Sequence, residues 1–225
     1  MIVTMWMTRE LITIQPQTTV VEAAELMARQ RIRRLPVVEM HASGPQVVGM
    51  VSARDILHAF PPDVNPFAIV ISAAGAPPTA VEHIMSHQLQ TIAPEAPIEA
   101  AAELMAEYKI GSLPVVQAGK LVGLITESDI FRAFVSFFAS PEASVRITFD
   151  ISSREDVFAW VSRETRRRKL RIISLISSQQ ENVPVCVVRV AGSLVDELID
   201  DLWNSGHRVI SVLRYPQDDQ SVPPR

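Results

Sequence analysis

Two seven-residue stretches carry the residue types and the spacing to hold a nucleotide. Gly49-Met50-Val51-Ser52-Ala53-Arg54-Asp55 and Gly123-Leu124-Ile125-Thr126-Glu127-Ser128-Asp129 share one pattern: glycine, two apolar residues, a hydroxyl, two further residues and an aspartate. An apolar strand ending in serine or threonine delivers the chain to a helix N-terminus, where unbonded N–H groups and the dipole favour an anion. Ser52 or Thr126 adds a hydroxyl there. Asp55 or Asp129, one turn into the helix, presents a carboxylate able to accept from a ribose diol, and Arg54 supplies a fixed positive charge suited to phosphate. The same S/T-x-x-D spacing is a common helix-capping signature, so the pattern alone also fits a plain pair of caps.

The elements around these stretches repeat. Residues 3 to 38 lie over 81 to 116 with about 17 identities in 36, including Leu35-Pro36-Val37-Val38 over Leu113-Pro114-Val115-Val116 and the run AAELMA in both copies. A second block follows at a shift of 74, residues 47–60 over 121–134, the difference in shift falling in the polar stretch between blocks. Each copy reads as a short strand (Leu11 to Ile14; Leu89 to Ile92) ending before a proline, then an amphipathic helix (Val20 to Gln30; Ile98 to Tyr108). Thr18 or Thr19 can cap the first helix, and Pro97 suits the opening position of the second. The strand LPVV, a hairpin, a return strand (Val47 to Val51; Leu121 to Ile125) and a second helix capped by Ser52 or Thr126 complete β-α-β-β-α twice.

Residues 61–78 join the copies through two Pro-Pro pairs around an apolar segment, more apolar than a flexible linker requires. After Pro141 the pattern changes to strand (Val145 to Ile151), helix (Arg154 to Arg168, with Val157, Phe158 and Val161 inward), two strands (Leu170 to Ile176; Pro184 to Val190), helix (Leu194 to Trp203) and strand (His207 to Leu213). That β-α-β-β-α-β order is the split-βαβ, ferredoxin-like arrangement, so the fold class is α+β throughout. The expected division is 1–60, a linker at 61–78, 79–139, a third domain at 143–215 and a frayed tail at 216–225.

Composition bounds the function. With 48% hydrophobic and 20% charged residues the chain is globular, and a net charge of −4 argues against an overall polyanion binder. The one cysteine, Cys186, excludes an internal disulfide, fits a reducing compartment, and sits in the apolar run VPVCVVRV as a core residue. No signal peptide is read at the N-terminus and no stretch is long and apolar enough for a membrane helix, which makes a soluble, cytoplasmic protein the expectation. His83 and His87 share helical spacing but lack a third metal ligand, and no Ser-His-Asp or Cys-His constellation is present. The basic run 163–171 (RETRRRKLR) reads as a solvated helix face. Its alternative reading is a DNA-associated regulator, and an enzyme with an unrecognised site is a third class.

The two β-α-β-β-α copies bearing LPVV and G-h-h-[ST]-x-x-D resemble a pair of CBS domains over residues 1 to about 136. The resemblance implies two repeats packed as a pseudo-twofold pair, without catalysis, binding AMP, ADP, ATP or S-adenosylmethionine as a regulatory ligand, with or without Mg, in two clefts. Carried over by position, site one would comprise Thr13, Ile14, Ile32, Arg33, Pro36, Ser52, Arg54 and Asp55. Site two would comprise Thr91, Ile92, Ile110, Gly111, Pro114, Thr126 and Asp129. Asp55 and Asp129 would hold ribose hydroxyls, Ser52, Thr126 and Arg54 would contact phosphate, and adenine would lie against the first strands and the residues before LPVV. Site one has Arg33, Arg34 and Arg54, whereas site two has Glu127 and Ser128, so a phosphorylated nucleotide should prefer site one. The last third resembles an ACT domain, and CBS pair followed by ACT is the layout of acetoin-utilisation-type regulatory proteins. The loop Asp150-Ile151-Ser152-Ser153-Arg154 lacks the glycine on which ACT ligand sites usually rely, so a dimer-forming role suits it at least as well as amino-acid binding. The implied partners are an adenosyl small molecule, a second copy in a homodimer and a regulated protein.

Overall fold

Thr19 starts the first helix of the chain, α1 (Val20–Gln30), by a complete capping box. Its hydroxyl accepts from the Glu22 N–H at 3.2 Å while the Glu22 carboxylate accepts from the Thr19 N–H at 2.9 Å. Val20, Ala23, Ala24 and Met27 recur on one face and are buried there. Arg31 at φ 54° ends the helix in the left-handed region, and Lys109 at φ 54° ends the equivalent helix α3 (Ile98–Tyr108). Pro97 is the N-cap of α3 and not its first helical residue. The computed structural model describes residues 1–42, 44–61, 64–67, 79–138, 142–152, 156–180 and 182–216. It forms two compact units, Met1–Arg132 and Ala133–Arg225.

In the first unit, β1 (Arg34–His41) pairs antiparallel with β2 (Gly44–Ser52), which leads into α2 (Ala53–Ala59). The second copy repeats this with β3 (Ser112–Gln117), β4 (Lys120–Thr126) and the start of α4 (Glu127–Phe138), which runs on past Arg132 into the second unit. LPVV is the buried part of β1, in β3 the buried stretch is Ser112–Val115, and both hairpins shift register at the same place, after Val37 and after Val115. The first strand of each copy shrinks to a single parallel bridge, Ile14 to Val37 and Ile92 to Val115, because a proline two residues on removes the next ladder donor. Of the joining segment, Val64 and Phe67 pack on the first copy's core, and 62–63 and 68–78 lie outside the described residues.

The two copies exchange their leading segments. A 3-10 turn at Val3–Met5 hydrogen-bonds to the second copy, Val3 N–H to Ala96 C=O at 2.9 Å and Thr4 N–H to Pro94 C=O at 2.9 Å, and Thr8 forms a bridge with Leu124 in β4. The matching turn at Val81–His83 does the same to the first copy. Val81 N–H reaches Thr18 C=O at 2.8 Å, Glu82 N–H reaches Pro16 C=O at 3.0 Å, and Ser86 bridges to Met50 in β2. This reciprocity gives the pair its pseudo-twofold relation, and it explains two glycines. A Cβ on Gly49 would stand 2.3 Å from the Met85 sulfur, and one on Gly123 would stand 2.5 Å from the Met7 sulfur.

The second unit has the element order predicted from the sequence: β5 (Ser144–Asp150), α5 (Val157–Arg167), β6 (Arg171–Gln180), β7 (Val183–Ala191), α6 (Val195–Trp203) and β8 (Val209–Tyr215). Its antiparallel sheet is ordered β6-β7-β5-β8. Val157 and Val161 are buried, but Phe158 is 40% exposed and Trp160 takes the inward place expected for it. Helical spacing from Val157 leads to Trp160, Val161 and Glu164, and position 158 falls about 100° off that face. Much of the basic run is neutralised: Arg163, Arg167 and Arg168 contact Glu164, Arg167 and Arg168 contact Asp201, and Arg171 contacts Glu142.

Candidate functional site

The S/T-x-x-D stretches close on themselves. Asp55 Oδ2 accepts from the Ser52 N–H at 2.7 Å and from its hydroxyl at 2.7 Å, and the Ser52 oxygen accepts from the Asp55 N–H at 3.3 Å. Thr126 and Asp129 repeat this at 2.8, 2.7 and 3.4 Å. The next N–H along, on Ala53, donates to the Arg33 carbonyl at 2.9 Å, and its counterpart on Glu127 donates to the Gly111 carbonyl at 3.2 Å. The unbonded helix end expected from the sequence is therefore largely satisfied internally, and Ser52 spends its proton on Asp55. Any anion here depends on side-chain cations.

Those cations converge on one cavity of about 490 Å³. Ser52, Ala53, Arg54 and Asp55 form one wall at the β2–α2 junction, with Arg33 and Arg34 from the start of β1. The second copy supplies Ser86, Gln88, Leu89 and Gln90 from its leading segment, Lys109 to Ser112 and Pro114 from the α3–β3 junction, and Glu127. Four cationic residues, Arg33, Arg34, Arg54 and Lys109, thus face two carboxylates, Asp55 and Glu127. Burial pushes the Arg34 guanidinium below its ordinary pKa, with the neighbouring charges of Glu127 opposing the shift and Arg33 adding to it. Gly111 makes room for this group: a Cβ there would lie 2.0 Å from an Arg34 nitrogen and 2.7 Å from a Glu127 oxygen.

The cavity mixes the two sets of residues expected from the sequence. It brings together Arg33, Ser52, Arg54 and Asp55 of the first set with Ile110, Gly111 and Pro114 of the second. Thr13, Ile14, Ile32 and Pro36, and Thr91, Ile92, Thr126 and Asp129, are not in its lining. Ile14 and Ile92 are buried as the bridge partners of Val37 and Val115, which makes them core. Grouping by repeat fails because each copy's leading segment packs against the other copy. Glu127, assigned by sequence to the second cleft, reaches into the first for the same reason. Lys109, Ser86 and Gln90 went unrecognised. Their signal lay in the duplication, since Lys109 occupies the left-handed helix end that Arg31 occupies in the first copy.

The two aspartates differ in surroundings. Among the described residues, the contacts of Asp55 run through Oδ2, and the residue is half-buried at the cavity wall. Asp129 is 2% exposed, and its Oδ1 accepts from the Arg132 guanidinium. The position of Arg132 is held in the first copy by His58, which is exposed.

The sequence pattern of the CBS domain matches residues 3–62 and 81–136, over half of the chain. The chain belongs to the CBS-domain family. The CBS pair is a regulatory module and in general not a catalytic one. Its similarity extends to the CBS domain-containing protein YhcV of Bacillus subtilis, 33% identical over 125 residues that cover 55% of this chain and 79% of that protein. An inosine-5'-monophosphate dehydrogenase of Korarchaeum cryptofilum is 33% identical over 140 residues, 62% of this chain but a quarter (25%) of the dehydrogenase's length. Among solved structures, a protein assigned to acetoin utilization, AcuB, from Vibrio cholerae is 30% identical with a TM-score of 0.49, covering 61% of this chain and 93% of that one. No helix among the described residues is long and apolar enough to cross a membrane.

Proposed function

We propose that the CBS pair is a non-enzymatic sensor whose first cavity takes an adenosine compound bearing phosphate. One observation carries this: four cationic residues line the same cavity as a half-buried aspartate whose second oxygen, Oδ1, has no described partner. A carboxylate oxygen so placed accepts from a ribose diol, while guanidinium forks at Arg33, Arg34 and Arg54 suit phosphate oxygens. Ile110, Pro114 and Leu89 offer apolar surface for a base. The same positive lining disfavours S-adenosylmethionine, whose sulfonium is itself cationic, so AMP, ADP or ATP, with or without Mg, is the preferred class. Occupancy regulates if the ligand prefers one arrangement of the pair or of its assembly over another.

In this reading the second unit is ACT-like, supported by its β-α-β-β-α-β order and antiparallel β6-β7-β5-β8 sheet. A homodimer is supported by exposed apolar side chains, Phe131, Phe134 and Val135 on α4 and Ile210 and Leu213 on β8. The test is calorimetric titration of AMP, ADP, ATP and S-adenosylmethionine into wild type, Asp55→Ala and Asp129→Ala. Both substitutions remove equivalent capping bonds, so the cost of a lost cap is common to them. Phosphorylated ligands should bind wild type and Asp129→Ala and fail on Asp55→Ala. Equal loss in both variants would sink the assignment.

A further inference from the structure

The equivalent aspartates of the two copies, Asp55 and Asp129, differ in what their second carboxylate oxygen meets. In the first copy, Asp55 keeps Oδ1 clear of described partners and lies beside the cavity. In the second, Asp129 makes the same bonds to Thr126 through Oδ2, but its Oδ1 is taken by Arg132 three residues further along α4. That spacing puts both side chains on one helix face. Arg132 is 69% exposed at its side chain and Asp129 only 2%, so the guanidinium sits over the carboxylate from the solvent side. The first copy cannot do this: its equivalent residue is His58, for which no contact with Asp55 is found among the described residues.

We propose that Arg132 is a latch on a second, latent adenosyl site, closing it by occupying the carboxylate oxygen that a ribose diol would need. This rests on the reading of Asp55 as the diol acceptor of the first cavity. An arriving ligand must break a charge-assisted bond to a nearly buried carboxylate before it can form its own. Breaking such a bond weakens the second site by roughly tenfold to a hundredfold relative to an unlatched one. Arg132 thus determines how many ligands the pair takes, and acts by positioning and competition without belonging to the first cavity. Because its side chain is mostly exposed, replacing it leaves the core intact.

Four full-length proteins decide it: wild type, Arg132→His, Asp55→Ala and the double variant Asp55→Ala/Arg132→His, each titrated calorimetrically with AMP and ATP, with melting temperatures as the check on folding. Arg132→His installs the residue of the first copy. The expected result is one nucleotide per chain for wild type, two for Arg132→His, none for Asp55→Ala, and one for the double variant, abolished again by adding Asp129→Ala. Arg132→Lys, which keeps the charge and loses the planar fork, should gain less than Arg132→His. The latch is overturned if Arg132→His binds no more nucleotide than wild type, or if wild type already binds two with equal affinity. Wild type binding neither AMP nor ATP would instead strike the reading of the first cavity, and gain or absence of gain in Arg132→His would still decide the latch.

Discussion

Gly123→Ala should destabilise the CBS pair more than Gly49→Ala, although the two glycines occupy equivalent places. Neither has a left-handed φ, so alanine meets no backbone penalty and the substitution measures space alone. At Gly49 the three atoms nearest the added Cβ all belong to Met85, Sδ at 2.3 Å, Cγ at 2.9 Å and Cε at 3.1 Å. Met85 is half-buried and can swing away. At Gly123 the Cβ would stand 2.5 Å from Met7 Sδ and 3.0 Å from Met7 Cγ, with Met7 only 8% exposed, and 3.1 Å from the Thr8 carbonyl oxygen. That carbonyl accepts from the Leu124 N–H at 3.0 Å while Leu124 accepts from Thr8 at 2.9 Å, so the backbone cannot retreat without stretching this pair. Overpacking costs about 1–3 kcal/mol, and Gly123→Ala belongs near the top of that span and Gly49→Ala near about 1. The assay is native-state hydrogen exchange of the Thr8 and Leu124 amides against those of Met50 and Ser86. About 2–3 kcal/mol at Gly123 corresponds to roughly 30- to 150-fold faster exchange where local opening governs it. Met7→Ala in the Gly123→Ala background should recover part of the loss, a coupling of about 1–2 kcal/mol. Equal costs at the two glycines would refute the Thr8 carbonyl as the source of the difference, and strict additivity with Met7→Ala would refute the methionine as the reason for glycine at position 123.

Three further outcomes are expected. Glu164→Gln should cost the second unit about 3 kcal/mol in denaturation, the low end for breaking a buried pair because Arg168 keeps Asp201. The Glu164 carboxyl is held below its ordinary 4.5 by the hydrogen bond from Arg168 first and from Arg163 next. Its contribution is therefore complete above about pH 4.5 and is lost as pH falls through the depressed folded value, and Glu164→Gln should flatten that acid limb. Thr19→Ala, which removes the capping box of α1, should lower stability by about 1 kcal/mol, while Thr18→Ala, whose hydroxyl only accepts from the Gln15 N–H at 3.1 Å, should cost less. Cys186 is fully buried and burial raises its thiol pKa, so maleimide labelling at neutral pH should be negligible until denaturant unfolds the second unit.

The duplication made the fold legible. Local signals place the α-helices to within a few residues because capping (Thr19, Ser52, Thr126) and apolar spacing act over one or two turns. The cavity-lining residues Ser52, Arg54 and Asp55 are legible as a motif for the same reason. What local signals could not carry was partnership across more than seventy residues. Nothing near Gly111 announces that Arg34 and Glu127 meet above it, and nothing in the leading segments announces that they cross over. The free helix end expected at Ser52 failed differently: the Ala53 N–H finds a carbonyl at Arg33, supplied by the strand before the hairpin. Phe158 shows the limit of reading hydrophobicity without phase, since Trp160 two residues later holds the inward place.

The crossed leading segments also set a timetable for synthesis. Thr8 and its bridge partner Leu124 lie 116 positions apart. At about 5–20 residues per second, the first segment emerges roughly 6–23 s before its partner strand has been made. Until the segment 81–86 has been made, the first copy has its helices and hairpin but neither gives up its leading segment to a partner nor receives one. Val3 and Met7, both buried in the finished pair, stay uncovered on the nascent chain. The leading segment is thus closed in two steps, by Pro94 and Ala96 and then by Leu124, and it is where a chaperone has most to shield.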